Sequence, residues 1–435
     1  MVNFVSPYSS TNFSGAVHRA FAGVQGALDG LGLRPSRHDV LAGTAEAGSE
    51  SRPQSGTDCD VLVACSGGAD SLALAVAVAQ AAKCVGRSTR KKGYPIRAGA
   101  VIIDHKLHPD SAAVAAAAAK TCEQLGLAPV IVKTVDVDLT TGDGLEAAAR
   151  AARYQALDQV LAETGAKAVL LGHTMDDQAE SVLLGLARGS GARSLAGIPA
   201  NRNQYLRPFL GVRRRTTEEI CGIFGLTPWD DPTNALAGSD AANGGSYVVS
   251  RPDLRSASTT YEGPNLRSAS TTLEEASTPH RWNGEKAPTP LRTRIRAIAI
   301  PTLTDAVGHD VVPALARTAD MLRDDADALD SYAADLYEQV HLSEQARLSL
   351  SALDIGKLAA APKAARTRAL RLALRNLGIP SDVATRATVL ALDALVTNWH
   401  GQGGVNLPGG IVARRIGGIL RFDLSQPAPD PAQSA

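Results

Sequence analysis

The sequence predicts an α/β protein: a doubly wound parallel sheet followed by a second, mainly helical domain. Three observations carry that expectation. Short apolar runs of strand length alternate with helix-length segments between residues 61 and 188. The first run, Val61 to Ala64, passes through Cys65-Ser66-Gly67-Gly68-Ala69-Asp70-Ser71 into an Ala/Leu/Val-rich stretch from Leu72 to Ala82, which reads as strand, glycine turn and helix. From Leu303 onward, helical periodicity takes over.

Val17, Phe21, Val24, Leu28 and Leu31 recur at helical spacing, so 16–31 reads as an amphipathic helix covering the sheet. Residues 40–57, rich in Gly, Ser, Ala and Glu, read as a flexible surface loop. Strands follow at 98–103, 129–135 and 168–171, with helices at 111–125, about 145–164 and 176–188. Ligands of such sheets bind beyond the carboxyl ends of the strands, so the loop at Ser66, Asp104-His105 and Gly172-His173 can converge on one crevice. Residues 235–290 are rich in Ser, Thr, Gly, Asn and Pro and repeat Leu-Arg-Ser-Ala-Ser-Thr-Thr at 254–260 and 266–272, which predicts a disordered insertion. Helices are expected over 311–340 (one or two), 363–376 and 381–399, and two β-runs joined by Pro408-Gly409-Gly410 close the chain as a hairpin. The expected domains are 1–234, the insertion 235–290, and 291–435.

The 435 residues suit two or three domains, and the 44 basic and 44 acidic side chains cancel, so no global field marks a nucleic-acid binder. Local patches remain: five arginines lie between Arg202 and Arg215, and seven carboxylates between Asp320 and Glu338. Five cysteines without C-x-x-C spacing argue against a zinc or iron–sulfur site and for a reducing compartment. No membrane-length apolar run or signal-peptide pattern is evident, so the expected location is cytoplasmic, with no membrane partner. The sequence leaves the oligomeric state open, a homodimer included.

Ser66, Gly67, Gly68, Ala69, Asp70 and Ser71 place backbone N–H groups and a positive helix end around a small concavity suited to phosphate. An ordinary strand-to-helix turn with a Ser or Asp cap is the simpler reading. Downstream, His173, Asp176, Asp177 and Glu180 lie at offsets of 0, 3, 4 and 7, on one face at a helix mouth. Acids there could merely complement the helix dipole; alternatively they could hold magnesium on ATP phosphates or take a proton from an amine. Asp177 is the favoured base, with His173 and Asp176 assisting. Arg150 and Arg153 share a helix face that could meet phosphate or simply be solvated, and Arg207 is read likewise. Arg368, Arg371 and Arg375 form a basic stripe open to the same two readings.

Ser66-Gly-Gly-Ala-Asp-Ser71 resembles the SGGxDS signature of the PP-loop ATP pyrophosphatase superfamily, and no Walker or Rossmann pattern occurs. The segment from Gly172 to Ser181, with Leu183-Leu184 and Arg188-Gly189-Ser190-Gly191, resembles the GHxxDDQAET…LL…RGSG block of the tRNA(Ile)-lysidine synthetase family. Asp104 to Ser111, Glu146 to Tyr154, Arg207 to Leu210, Asp231 to Asn234 and Arg292 to Arg296 resemble further family segments in order, with Lys106, His108, Ser181 and Thr293 departing from the usual residues. The resemblance implies ATP-dependent joining of free L-lysine to C2 of the first anticodon cytidine of a CAU-anticodon isoleucine tRNA. It further implies ATP on residues 66–71, Mg2+ held by Asp70 and Asp177, and a tRNA-binding role for 291–435. Competing readings are another PP-loop tRNA-modifying enzyme, such as a 2-thiolating enzyme, and a non-catalytic RNA- or nucleotide-binding protein.

Overall fold

In a computed structural model, residues 13–31, 58–84, 96–106, 109–137, 145–189, 191–230, 290–342, 350–380 and 383–425 are described. The expected loop at 40–57 and nearly all of the insertion at 235–290 lie outside them. The chain forms two compact units, Met1–Glu180 with Ala200–Val312, and Ser181–Pro199 with Pro313–Ala435. The second unit thus takes in a short segment from the middle of the chain, and residues 291–312 fold with the first.

The first unit opens with α1 (Gly15–Gly30), capped by the Ser14 hydroxyl. Then come β1 (Val61–Ala64), α2 (Ala69–Cys84), β2 (Ala98–Asp104), α3 (Ser111–Leu125), β3 (Val130–Thr134), α4 (Leu145–Thr164), β4 (Ala168–Leu170) and α5 (Met175–Ala187). These match the predicted elements closely, because each carries its own apolar period. After the short α6 (Ala192–Leu195), which belongs to the second unit, the strands β5 (Asn201–Arg202) and β6 (Tyr205–Leu206) and the helix α7 (Arg214–Ile223) were not predicted. The strands are too short to show a period. Helix α8 (Leu291–Arg294) runs through a π-helical turn, Ile295–Ala299, into α9 (Ile300–Val307).

The sheet order is β3-β2-β1-β4-β6-β5, parallel except for the edge strand β5. Alternation sorts β1 onto two faces. Val61 and Val63 pack with α1, α2, α3 and α7 residues, and Leu62 and Ala64 pack with Leu157, Val160 and Leu161 of α4. The strand is buried throughout because helices cover both faces. Chain order reverses between β1, which leads to β2 on one side, and its other neighbour β4, so the switch point lies where Val63 pairs with Leu170. That is where an open parallel sheet binds its ligand.

In the second unit, α10 (Val312–Val340) is one continuous helix, followed by β7 (Ser351–Asp354), α11 (Ile355–Ala360), α12 (Lys363–Asn376) and α13 (Arg386–Thr397). The helix expected at 381–399 is shorter, its start set by the Thr385 hydroxyl cap on the Thr388 N–H. The expected hairpin is part of a four-stranded antiparallel sheet, β7-β10-β9-β8, with β8 at Val405–Leu407, β9 at Ile411–Ile416 and β10 at Ile419–Leu424. Gly417-Gly418 makes a second turn, and β7 arrives from outside the local pattern to pair with β10. Arg193 of the inserted segment pairs with Asp327 and Asp330 on α10, and Arg323 donates to the Ile198 carbonyl at 3.1 Å.

Candidate active site

The loop after β1 is organised by one hydroxyl. Ser71 Oγ accepts from the Ser66 N–H at 3.1 Å and donates to the Gly68 carbonyl at 2.9 Å. Gly67 has φ +85°, a conformation that disfavours side chains, and its carbonyl accepts from the Trp229 N–H at 3.0 Å. The first N–H groups of α2 have no intrahelical acceptor, so this turn presents donors and positive potential at the switch point.

Asp70, in the first turn of α2, faces α7. Its Oδ2 accepts from Arg214 Nε at 3.1 Å and its Oδ1 from the Thr217 hydroxyl at 2.5 Å. Arg214 Nη2 stands 3.0 Å from Asp70 and 3.3 Å from Asp177 Oδ1, so one guanidinium bridges the two carboxylates. Asp177 Oδ2 accepts from the backbone N–H and hydroxyl of Thr174, at 2.7 and 3.0 Å, so the third residue of α5 reaches back to its cap. Its Oδ1 also lies 3.6 Å from Arg296 Nη2. Glu180, 1% exposed, accepts from Arg296 Nε at 2.5 Å through Oε1; its Oε2 is buried without a hydrogen bond, 3.9 Å from Arg292 Nη1.

These surroundings separate the three acids. Burial pushes the Asp70 carboxyl up, against the pull of Arg214 and Thr217. Burial also pushes Asp177 up, but Arg214, the Thr174 N–H and Arg296 outweigh it and hold that carboxyl below its usual value. Glu180 is raised, burial exceeding the opposing effect of Arg296.

Asp176 points elsewhere. The Arg213 guanidinium grips it at 3.0 to 3.2 Å, and its Oδ2 accepts from the Arg214 N–H, the first of α7, at 2.8 Å. Arg213 also pairs with Asp310. Asp176 therefore caps α7, the helix on which Arg214 and Thr217 stand.

His173 lies just before α5, half-buried, with Nδ1 buried and unpartnered. Burial, with the positive charges of Arg153, Arg207 and Arg150, pushes it down to about 3 against the pull of Asp177, so the imidazole is neutral. The three arginines singled out in the sequence gather near this ring. Arg150 and Arg207 both donate to the Tyr154 hydroxyl, at 3.4 and 3.3 Å, and Arg150 lies 5.1 Å over the Tyr154 ring. Burial lowers Arg153, and Arg150 and Arg207 lower it further. Arg207 is 4% exposed and Arg150 is exposed, so the cluster runs from the core to the surface.

The residues that sequence reasoning missed are Arg213, Arg214 and Thr217. Their only signal was the Arg213-Arg214-Arg215 run, which resembled a surface patch. Arg296 was legible only as part of a family-like segment. The crevice thus offers N–H donors for an anion at one end and two carboxylates, Asp70 and Asp177, bridged by the Arg214 guanidinium. Among the described residues no three His, Cys, Asp or Glu side chains form a metal cage. Carboxylates completed by phosphate oxygens and water are the usual way Mg2+ is held, so Asp70 and Asp177 have the donor chemistry for a magnesium ion carried with ATP, with Arg214 Nη2 at 3.0 and 3.3 Å as their present counter-charge.

A PP-loop domain family model matches residues 47–238, and a TilS substrate binding domain model matches residues 353–420. The chain is 42% identical over 360 residues to the tRNA(Ile)-lysidine synthase of Thermobifida fusca (strain YX), covering 83% of this chain and 90% of that one. It is 40% identical to that of Leifsonia xyli subsp. xyli (83% and 89% covered) and 41% identical to that of Streptomyces coelicolor (83% and 84% covered). With the loop at the switch point and Asp70 of α2 and Asp177 of α5 both paired with Arg214, these likenesses show that the chain belongs to the tRNA(Ile)-lysidine synthase family.

Proposed function

We propose that this protein joins free L-lysine to C2 of the wobble cytidine, position 34, of an isoleucine tRNA with a CAU anticodon, in the cytoplasm, converting ATP to AMP and pyrophosphate. The observation that carries this reading is the Arg214 bridge between Asp70 and Asp177, which brings the phosphate loop and the acid cluster of α5 to one switch point. The Ser66–Ser71 turn would receive the ATP phosphates at the N-terminus of α2. Asp70 and Asp177 would hold Mg2+, which when bound neutralises phosphate charge. Arg214 and Arg296 add fixed positive charge where pyrophosphate and then AMP depart.

In the first step the C2 carbonyl oxygen of cytidine attacks the α-phosphorus of ATP and pyrophosphate leaves. In the second, the lysine ε-amine attacks C2, AMP leaves, and the amine gives up a proton. Its ammonium form must lose a proton before attack, which calls for an acceptor. From sequence, Asp177 was favoured; its lowered pKa makes it the poorer acceptor and suits it to holding cationic charge. We therefore assign the proton to Glu180, whose carboxyl is raised and whose buried Oε2 carries no hydrogen bond. Neutral His173 can accept a hydrogen bond from the amine, and Asp176 acts through α7. Arg150, Arg153 and Arg207 would face the anionic parts of the substrates.

Thiolation is disfavoured by the absence of any C-x-x-C spacing among the five cysteines, and the four whose side chains are described, Cys59, Cys65, Cys122 and Cys221, are buried. The test is pyrophosphate release with ATP, lysine and a CAU-anticodon isoleucine tRNA transcript. Sustained turnover that requires both lysine and tRNA is the expected result, with at most a single-turnover burst when lysine is left out; sustained lysine-independent turnover would overturn the reading.

A further inference from the structure

One corner of the second unit combines an exposed indole with unopposed positive charge. Trp399, just past the end of α13, is 40% exposed. The Arg415 guanidinium lies 5.7 Å over its ring, and Arg415 Nη1 donates to the Leu395 and Val396 carbonyls at 3.1 and 3.2 Å. Arg415 thus closes the C-terminus of α13 and backs one face of the indole. The following turn is tied down by Gln402, whose Oε1 accepts from the His400 N–H at 2.8 Å and whose Nε2 donates to the Asn398 carbonyl at 3.0 Å. The ring is held in place and half of it is open.

The chain beside it shapes the rest of the corner. β8 pairs Val405 with Ala413, which puts Gly404 next to Arg414. A β-carbon on Gly404 would come within 2.7 Å of Arg414 Cγ, so the arginine stem lies flat on bare backbone while the residue remains exposed. From Thr397 to Phe422 the sequence has no Asp or Glu, against His400, Arg414, Arg415 and Arg421. The next acid, Asp423, pairs with Arg421 at 2.8 Å. By contrast Arg368, first of the basic stripe on α12, is spent on Asp330, which leaves only Arg371 and Arg375 of that stripe exposed.

An aromatic platform fixed from behind, flanked by an arginine and free of acids, suits stacking of an unpaired base with its phosphate alongside. We propose that the corner formed by Trp399, His400, Gly401–Gly404 and Arg414 receives an unpaired nucleotide of the RNA substrate, the base on the open face of Trp399 and the phosphate at Arg414. This rests on the tRNA-modifying reading for the identity of the RNA, not for the chemistry of the corner.

The test uses the full chain and direct tRNA binding without ATP or lysine, over a salt series, with pyrophosphate release measured separately. Trp399→Ala should weaken binding of the CAU-anticodon transcript about ten-fold, with Trp399→Phe retaining most of it. Arg414→Gln, which leaves the indole and its support untouched, should lower the slope of log affinity against log salt by about 1. At saturating tRNA, kcat should be unchanged and KM for tRNA raised. Unchanged affinity in Trp399→Ala together with an unchanged slope in Arg414→Gln would overturn the proposal. Sustained lysine-independent turnover by the unaltered protein would instead overturn the lysine-joining reading and leave the RNA measurement standing.

Discussion

A β-carbon on Gly172 would lie 2.9 Å from the carbonyl oxygen of Asp70 and 3.1 Å from the amide nitrogen of Ser71. The turn after β4 is pressed against the first turn of α2, and both contacts are with backbone, which cannot swing aside. Gly172→Ala should displace Asp70 and the phosphate loop together. The expected cost is about 1 to 3 kcal/mol of stability, with at least a ten-fold loss in kcat/KM for ATP. Thermal melts and initial rates at varied ATP would check it.

Arg214 balances two carboxylates at once. Arg214→Gln should lower kcat/KM by about 100-fold, because fixed positive charge is lost where phosphate charge departs. Arg214→Lys should recover little, since an ammonium cannot reproduce the guanidinium fork spanning Asp70 and Asp177. Steady-state kinetics of all three forms decides this, and full recovery by lysine would contradict the bridging role.

The split between Asp177 and Glu180 predicts different kinetic signatures. Glu180→Gln should lower kcat and abolish the acidic limb of its pH profile. Asp177→Asn should raise KM for lysine or ATP while leaving that limb in place. The opposite pattern would return the proton to Asp177.

His173 should make the protein sensitive to mild acid. Its folded-state pKa, about 3, is below the ordinary 6.5, so between those values the unfolded chain binds the extra proton and stability falls as pH drops. From pH 7.5 to pH 5 the loss expected from this one group is about 2 kcal/mol, 1.5 pH units below 6.5 at 1.36 kcal/mol each. His173→Gln should flatten that part of the stability curve in denaturant titrations at the two pH values.

In the second unit, Arg366 and Asp393 form a buried ion pair, Nε to Oδ1 2.5 Å, with both side chains 9% exposed. Arg366 also donates to the Ala361 carbonyl at 2.7 Å. Asp393→Ala should cost about 3 to 5 kcal/mol by leaving the guanidinium buried without its counter-charge. Replacing both partners with apolar residues should cost much less, and a double-mutant cycle measures the difference.

The sequence by itself determined the elements from α1 to α5, because each carries a local signal: helical apolar spacing in Val17 to Leu28, strand-length runs such as Val61 to Ala64, and glycine at the turn after β1. It also determined that the loop at Ser66, Asp104-His105 and Gly172-His173 directly follow strands, and strand ends in a parallel sheet share an edge. Only the tertiary structure decided what those acids meet. Arg214 is 144 residues from Asp70, and Arg296 is 116 residues from Glu180. Charge pairing over such distances leaves no periodicity to read, so nothing in the sequence showed that Asp176 meets the start of α7. β7 joins β10 for the same reason, as strand pairing is set by packing and not by the residues in between.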